Sequence, residues 1–246
     1  MSYFAQKKAF NYDDIPAGYY FHVLENGSPI RKFWHREKFT SVIHHLAPNG
    51  KLLDVGCGPG AFLFMAKQAF PNLDCVGVDI SAPQIDFANS QVGDTKNLTF
   101  RVEDSEHLPY EDHSFDFVTT IEVIEHLHPY DAMKIAAEVR RVLKPEGKWV
   151  VTTPNYKSLW PLIEVALNAL SPVKYEEQHI SKFVPNSLVK FVEAAGFEVV
   201  EQRSIFFVAP FCAVISKRFS RWLLKLERKL RLPSSLLVMC CRPMTR

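Results

Sequence analysis

Short apolar runs alternate with amphipathic stretches along the chain from residue 50 to residue 200. The apolar runs predict strands at 51–55, 74–79, 98–102, 115–121, 147–153, 198–205 and 236–242. The amphipathic stretches predict helices at 32–46, 60–69, 82–91, 130–143, 158–169 and 185–195. Strands that alternate with helices form βαβ units, so this pattern predicts an α/β protein with a mostly parallel sheet of seven strands and helices on both faces.

Two glycines mark predicted turns from helix to strand. The segments "KPEGKW" and "EAAGFEV" place Gly147 and Gly196 at helix ends, where glycine is the preferred residue. The last strand follows a helix-rich insertion, and we expect it to pair antiparallel near the edge of the sheet. The sequence shows no internal repeat, which favours a single domain over residues 1–246.

The composition is that of a globular chain in a reducing compartment. The 246 residues are 47% hydrophobic, enough for one sizeable core. Five cysteines without a C-x-x-C pair suggest neither a disulfide framework nor a zinc ribbon, and they favour the cytoplasm. The first residues contain no apolar signal region, and the apolar run 205–215 is too short to span a bilayer. We therefore expect a cytoplasmic protein that is soluble or lies on a membrane.

Charge is unevenly distributed along the chain. Of its 29 basic and 27 acidic residues, seven basic and one acidic residue lie in segment 217–231. The remaining chain carries a net charge of −4, which argues against a broad nucleic-acid surface.

A glycine-rich loop follows the first predicted strand. In "KLLDVGCGPGAF", Gly56, Gly58 and Gly60 lie between a strand and a helix, where they allow a ligand to approach the backbone closely. With Ala61, the loop also satisfies the G-x-G-x-x-G/A pattern of dinucleotide binding. The loop alone leaves a nicotinamide oxidoreductase open as an alternative.

Acidic residues at successive strand ends separate these alternatives. Asp54 precedes the loop by two residues, where it would repel a pyrophosphate but attract a ligand that carries an ammonium and a sulfonium. Asp79 ends the next strand and suits ribose hydroxyls in either class of cofactor. Asp104 follows the third strand and can accept a hydrogen bond from an adenine amino group. Each acid taken alone could simply cap a turn.

Five segments in this order resemble the class I S-adenosylmethionine-dependent methyltransferases. They are "LLDVGCGPG", "VGVDIS", "VEDSEHLPYEDHSFDFV", "IEVIEHL" and "VRRVLKPEGKWVVTTPN", and the resemblance covers about residues 30 to 200. The layout is most similar to the O-methyltransferases of ubiquinone biosynthesis, through "REKF", E-x-x-E-H at 122–126 and "TTPN…HISKFVP". The resemblance implies a Rossmann-like methyltransferase fold with an antiparallel last strand, and S-adenosyl-L-methionine as the cofactor.

The resemblance also implies a role for each matching residue. Asp54 would face the ammonium of the cofactor, and Asp79 would hold its ribose diol. Gly56 and Gly58 would contact the methionine and ribose parts of the cofactor, and Arg36 would bind its carboxylate. The adenine would lie against Ile80, Asp104 and the adjacent Ser105. Ile121 would pass close to the cofactor. An exposed helix charge is the alternative for Arg36.

Candidates for the chemistry follow the fourth strand. The trio Glu122, Glu125 and His126 has ligand types that suit Mg²⁺ or Zn²⁺, and in some ubiquinone-type enzymes it holds a divalent cation. Because a Glu-His pair also occurs here in metal-free relatives, we predict no metal and assign His126 to the catalytic pocket. His179 is the other candidate base, with a surface or hinge histidine as the alternative.

The acceptor side, the part of the protein that binds the molecule to be methylated, is expected outside the cofactor-binding core. We place that core at 46–155. Residues 1–45 are rich in aromatics and are expected to form a lid, and 156–246 supply an apolar helix and a basic amphipathic helix at 216–232. The basic helix can pack its apolar stripe on the domain or lie on an anionic membrane. We expect methyl transfer to a hydroxyl of a hydrophobic, lipid-linked or aromatic small molecule; N- or C-methylation and a binding module without turnover are the alternatives.

Overall fold

A single seven-stranded sheet forms the centre of the protein. The computed structural model describes residues 15–170, 178–230, 232 and 234–244. The strands in chain order are β1 (Lys51–Val55), β2 (Asp74–Asp79), β3 (Leu98–Val102), β4 (Phe115–Ile121), β5 (Leu143–Pro154), β6 (Phe197–Ile205) and β7 (Leu236–Pro243).

Helices cover the sheet and connect its strands. In chain order they are α1 (Tyr19–Asn26), α2 (Pro29–Ile43), α3 (Ala61–Ala69), α4 (Ala82–Val92), α5 (Pro129–Val142), α6 (Trp160–Leu170), α7 (Pro185–Ala194) and α8 (Lys217–Leu230). Short 3-10 turns occupy Ile124–His126 and Ala209–Val214. In the described part of the chain, no helix is both long enough and apolar enough to cross a membrane.

The strand order places a crevice beside the glycine loop. The strands run in the order β3-β2-β1-β4-β5-β7-β6, and β1 pairs in parallel with both β2 and β4. The chain therefore reverses its direction of winding between β1 and β4. Open α/β sheets bind ligands at the carboxyl ends of the strands on either side of such a reversal.

Alternation along each strand divides the core into two layers. Leu52 packs with the buried Leu63 of α3, whereas the next residue, Leu53, packs with Val139 of α5. Successive side chains of a strand point to opposite faces, so the fully buried run "LLDV" requires helices on both sides. This arrangement confirms the predicted α/β sheet with helices on both faces.

The fifth strand begins earlier than predicted. Gly147 lies inside β5, not at a helix end, because β5 starts at Leu143 directly after α5. Leu143 pairs with Phe115 of β4, and the register then shifts before Lys148. The "KPEG" segment is therefore an irregularity within a strand. Gly196 does follow α7 with a φ of +84°, as predicted.

The C-terminal strand is enclosed by two neighbours. β7 pairs antiparallel with β5 on one side and with β6 on the other, so it lies one strand in from the edge. The prediction of an antiparallel last strand near the edge is confirmed. Within residues 1–45, which the sequence predicts to be a lid with a helix from residue 32, the structure adds helix α1 before α2.

Candidate functional site

The glycine loop leaves β1 in a conformation that a residue with a side chain would strain. Gly56 has a φ of +73°, and its N–H donates to the Val78 carbonyl at 2.8 Å. A Cβ at position 56 would lie 2.5 Å from Cγ2 of Val123. Gly56 is therefore required both by its backbone conformation and by the close approach of the segment after β4.

Gly58 and Asp79 join the glycine loop to the end of β2. The Gly58 N–H donates to one carboxylate oxygen of Asp79 at 2.8 Å, and the other oxygen accepts from the Ser81 N–H at 2.9 Å. A Cβ at Gly58 would meet no atom within 4 Å, so open space adjoins the loop here. Ile80 is 66% exposed beside this carboxylate and can offer an apolar contact to a ligand.

Asp54 is a buried carboxyl beneath the loop. It is 1% exposed and accepts from the Thr119 hydroxyl of β4 at 2.6 Å. Burial raises its pKa to about 7, and the nearby charge of Asp79 adds to this rise, although the Thr119 hydrogen bond opposes it. A cationic ligand group near Asp54 would stabilise the ionised form.

The predicted adenine end is more open. Asp104 is exposed two residues beyond β3, and its carboxylate accepts from the Glu106 N–H at 2.9 Å. Ser105, next to it, is partly buried. Both residues lie at the same edge as Asp79, because β2 and β3 are parallel and end in register at Asp79 and Val102.

Helix α1 packs near this end of the sheet. The side chain of Gln84 on α4 accepts from the Gly18 N–H at 3.1 Å and donates to the Ile15 carbonyl at 3.0 Å. The Phe21 ring of α1 lies 5.7 Å from Phe87 of α4. These contacts hold residues 15–26 against the helix that follows the ribose-site candidate Asp79.

A buried ion pair closes the end of β4, and sequence reasoning did not identify it. Lys38 of α2 pairs with Glu122, which follows Ile121 and has a φ of +55°. The Lys38 side chain is 3% exposed and that of Glu122 is 21% exposed. Arg36, two residues earlier on α2, is exposed. The predicted acceptor-side acid Glu122 is therefore held by a lysine of the N-terminal segment.

Glu125 is the most isolated carboxyl among the described residues. It is fully buried, and neither side-chain oxygen has a hydrogen-bond partner. Burial raises its pKa well above the ordinary value and the charge of Glu122 raises it further, while the nearby Thr153 hydroxyl opposes the rise. Burial thus favours the neutral form of Glu125 more than it would for an exposed glutamate.

His126 and His179 lie side by side, with ring centroids 5.0 Å apart. His126 Nδ1 is 3.1 Å from the Gln178 carbonyl, and burial lowers its pKa to about 4 with a contribution from His179. The pKa of His179 is also lowered by burial, although Glu164 opposes the change. Both imidazoles are therefore neutral at pH 7. Since His179 is 5% exposed, it is not a surface histidine.

Two polar residues that the sequence did not single out orient His179. Its Nδ1 lies 2.5 Å from the Glu164 carboxylate and 2.8 Å from the Tyr156 hydroxyl. The Tyr156 hydroxyl also donates to Glu164 at 2.9 Å. A carboxylate at Nδ1 favours the tautomer with its proton on that nitrogen. No local signal marks Glu164, because it lies within an apolar helix.

The donors that could hold a cation differ from the trio read in the sequence. One ligand atom from each of Glu125, His126 and His179 falls within 4.8 Å of the others. Glu122 is instead paired with Lys38. A carboxylate with two imidazoles is a donor set that suits Zn²⁺ and similar ions. Absence of a metal stays a prediction.

An aromatic cluster joins the three segments expected to form the acceptor side. The Trp34 ring of α2 lies 5.9 Å from Trp160 of α6 and 4.3 Å from Phe206, which follows β6. Trp160 in turn lies 6.1 Å from His179. The N-terminal, central and C-terminal segments therefore meet beside the two histidines.

The edge formed by β1, β2 and β4 fits S-adenosylmethionine on chemical grounds. The buried Asp54 carboxyl suits an ammonium, and the Asp79 carboxylate lies where a ribose diol can be bound. The open space at Gly58 lies between them in sequence and leaves room for the ligand. A pyrophosphate would meet two carboxyls at this edge, which is unfavourable.

Comparisons with known proteins agree with this chemistry. The family described as "Methyltransferase domain" matches residues 53–151. The demethylmenaquinone methyltransferase of Lactobacillus johnsonii is 30% identical over 167 residues, which cover 60% of this chain and 68% of the relative. The ubiquinone biosynthesis O-methyltransferase of Sinorhizobium fredii is 31% identical over 161 residues, or 64% of this chain and 63% of the relative. The match thus spans slightly less than two thirds of this second relative.

A solved structure shares the fold. Geranyl diphosphate C-methyltransferase from Streptomyces coelicolor A3(2), in complex with Mg²⁺, geranyl diphosphate and S-adenosyl-L-homocysteine, superimposes with a TM-score of 0.65. The two sequences are 16% identical, and the alignment covers 92% of this chain and 86% of the other. These findings do not support the nicotinamide oxidoreductase alternative. The chain belongs to the class I S-adenosylmethionine-dependent methyltransferases, and S-adenosylmethionine is its cofactor.

Proposed function

We propose that the protein transfers the methyl group of S-adenosylmethionine to a hydroxyl of a hydrophobic, lipid-linked or aromatic small molecule. The observation that carries this proposal is the position of two neutral histidines beside an aromatic cluster. His179 contacts Trp160, which belongs to the cluster with Trp34 and Phe206. Aromatic rings beside an imidazole suit an apolar acceptor whose reacting group needs a base.

The residues at the sheet edge are proposed to hold the cofactor as the sequence predicts. Asp54 stabilises its ammonium, Gly56 and Gly58 allow its close approach, and Asp79 binds the ribose diol. Arg36 binds the carboxylate of the cofactor, and Ile80, Asp104 and Ser105 contact its adenine. Ile121 lies next to its reacting methyl end. Arg36 is exposed on α2, so its role requires the side chain to reach over the edge.

His179 is proposed to remove the proton of the acceptor hydroxyl. The bound cofactor supplies an activated methyl group, so the protein chiefly positions the acceptor and excludes water. The new carbon–oxygen bond forms as the carbon–sulfur bond breaks, and the hydroxyl proton passes to the imidazole. The Glu164 carboxylate at Nδ1 stabilises the resulting imidazolium. His126 remains neutral beside it, with its ring 5.0 Å from that of His179.

Carbon methylation is the second candidate, since the relatives include a ubiquinone/menaquinone biosynthesis C-methyltransferase of Citrifermentans bemidjiense. The two candidates differ in what the substrate must lose. A quinol ring carbon becomes nucleophilic when a neighbouring hydroxyl ionises. His179 would therefore again remove the hydroxyl proton, but the methyl group would be transferred to the ring carbon. Mass spectrometry of the methylated product distinguishes an ether from a ring methyl.

We place the reaction in the cytoplasm, with the acceptor taken from the inner face of a membrane. Segment 216–232 supports this location, because it combines clustered basic residues with tryptophan, phenylalanine and leucine.

Calorimetry with S-adenosylhomocysteine tests the cofactor-binding half of the proposal. We expect Asp79→Ala to weaken binding by at least about tenfold, because a charge-assisted hydrogen bond contributes about 1.5–3 kcal/mol. The exposed Asp94→Asn is the matched control and should bind as the wild type does. Unchanged affinity of Asp79→Ala would contradict the assigned ribose site.

A screen of lipid extracts with a labelled methyl donor tests the acceptor half. Once an acceptor is found, we expect His179→Asn to lower kcat by about 10²–10⁴-fold while S-adenosylhomocysteine binds normally. The exposed His107→Asn is the control. Undiminished turnover by His179→Asn would remove His179 as the base.

A further inference from the structure

Helix α8 is rotated so that its apolar stripe points away from the domain. Phe219, Trp222 and Leu230 are 46%, 58% and 59% exposed, and Leu226 is 36% exposed. These positions recur at intervals of three and four residues and so share one face of the helix. A surface helix ordinarily buries this face, which was one of the two interpretations left open by the sequence.

A polar residue fixes this rotation. The face of α8 that contacts the domain carries Ser220, Leu224 and Glu227, all of them buried. The Glu227 carboxylate accepts three hydrogen bonds from successive backbone N–H groups, those of Phe207, Val208 and Ala209, at 3.1, 2.7 and 2.7 Å. Rotating the stripe inward would leave this carboxylate and these N–H groups unpaired, which is costly.

The exposed stripe continues into the turn before the helix. Phe211, Val214 and Ile215 are 45%, 62% and 83% exposed. The rings of Phe219 and Trp222 stack with centroids 5.7 Å apart. A contiguous group of large apolar side chains on a protein surface marks a site of contact with a partner or a membrane.

Positive charge adjoins this apolar stripe. With 3.6 residues per turn, Arg218, Lys225 and Lys229 lie on the neighbouring face of α8, and all three are exposed. In the described part of 217–230, the sole acidic residue is Glu227, which is buried and hydrogen-bonded. An exposed apolar stripe beside an unneutralised row of cations matches the boundary between acyl chains and anionic headgroups.

We propose that residues 211–230, the docking surface, bind an anionic lipid bilayer, with the apolar side chains in the acyl boundary and the cations at the headgroups. A second copy of the chain fits less well. A two-fold contact through this surface would bring the cations of the two copies together, with no exposed acid in 211–230 to offset them. Anionic lipid neutralises the same cations.

The docking surface is bonded to the helix that also reaches the candidate site. Arg221 Nε donates to Glu37 of α2 at 3.0 Å, and Arg228 donates to Ser41 at 2.8 Å. Between these two positions, Lys38 reaches Glu122 at the end of β4. The docking surface and Glu122 are thus both bonded to residues 37–41 of α2. Resting on the proposed function, this arrangement places a bound bilayer on the same helix as the expected acceptor side.

Vesicle co-sedimentation of the full chain tests this proposal. We expect binding to vesicles of phosphatidylcholine and phosphatidylglycerol in equal amounts, and at least tenfold weaker binding to phosphatidylcholine alone. Lys225→Glu/Lys229→Glu and Phe219→Ser/Trp222→Ser should each weaken the first interaction by at least tenfold. The controls are Lys96→Glu/Lys190→Glu, an equal change of charge at exposed sites, and Tyr130→Ser, the loss of an exposed ring elsewhere; both should bind like the wild type.

Equal binding to both kinds of vesicle, or wild-type binding by the two docking-surface variants, would overturn the proposal. A concentration-dependent dimer without lipid, abolished by Phe219→Ser/Trp222→Ser, would assign the surface to self-association instead. Circular dichroism and S-adenosylhomocysteine binding of each variant verify its fold. Because vesicle binding is measured without an acceptor, its failure leaves the proposed methyl transfer standing, and failure of methyl transfer leaves the docking surface standing.

Discussion

Lys38 and Glu122 form an ion pair across 84 residues of sequence, between the N-terminal helix α2 and the end of β4. The lysine is almost fully buried, and the glutamate occupies a left-handed backbone position that residues with a side chain rarely adopt. The pair fixes α2 to the strand end that leads into the candidate residues Glu125 and His126. We expect it to govern both the stability of the fold and the order of the site.

Breaking this ion pair from one side should be costlier than removing it whole. We expect Lys38→Met to lower the free energy of unfolding by about 3 kcal/mol, because Glu122 then keeps a poorly solvated charge. Lys38→Met/Glu122→Gln should lose less than the sum of the two single changes, by about 1 kcal/mol or more. Urea denaturation of the four proteins measures this coupling, and additive effects would show that the pair is not energetically linked.

Binding of S-adenosylhomocysteine should depend on pH through Asp54, whose pKa burial raises to about 7. A ligand ammonium requires the ionised carboxylate, so we expect affinity to rise by up to about tenfold per pH unit as pH approaches 7, and to level off above it. Asp54→Asn should bind weakly and without this dependence, whereas the exposed Asp94→Asn should keep it. A flat profile for the wild type, measured by calorimetry, would contradict the assigned ammonium site.

Stability without ligand should have the opposite pH dependence. Because the pKa of Asp54 is higher in the folded state than the unfolded value of about 4, the folded protein holds the proton more tightly. Asp54 therefore contributes stability at low pH that is lost as pH rises from about 4 to about 7. We expect urea denaturation to show a smaller loss over this window for Asp54→Asn than for the wild type; equal losses would mean that other groups dominate.

Two of the three loop glycines, Gly56 and Gly58, should respond differently to alanine. An alanine in the left-handed backbone conformation costs about 1–2 kcal/mol. Gly58→Ala should lower the free energy of unfolding by no more than this, because its new methyl group enters open space. Gly56→Ala should lose more, since its methyl would also collide with Val123. Both should bind S-adenosylhomocysteine less tightly. Thermal unfolding and calorimetry measure the two effects, and equal destabilisation by both variants would contradict this geometry.

Removing the charge of Glu227 should loosen α8 selectively. Since its carboxylate accepts hydrogen bonds from three backbone N–H groups, we expect Glu227→Gln to lower the free energy of unfolding by about 2 kcal/mol. Hydrogen exchange of residues 207–230 should accelerate, while exchange within β1 and β4 stays slow. The exposed Glu193→Gln is a suitable control. Uniform acceleration across the sheet would indicate that α8 is not a separate unit.

Local sequence signals were sufficient for most of the sheet. The bounds of β1, β2, β3 and β4 agree with prediction, because each apolar run ends at an acid, a glycine or a turn. Local signals were insufficient for β5, because Pro145 and Gly147 are typical of a turn. In the structure they lie in an irregular part of the strand, and Leu143 and Lys148 on either side of them pair with β4. Pairing with a neighbouring strand thus overrode the local preference.

Contacts between distant segments account for what the sequence left out of the site. The Asp54 and Asp79 carboxyls were found because both lie at strand ends beside a recognisable loop. Lys38 and Glu164 were not, since each lies in a helix and acquires its role only when the fold brings Glu122 or His179 against it. The rotation of α8 was likewise undetermined, because it depends on backbone N–H groups that no side-chain pattern reveals.

The enclosed position of β7 has a consequence for how the protein is made. Since β6 pairs with β7 alone among the strands, it has no partner in the sheet until residues 236–243 are available. During synthesis, the five strands from β3 to β5 can assemble first, whereas β6 must wait for the segment that separates it from β5. The cofactor-binding half of the chain can therefore fold while the far edge of its sheet is still open.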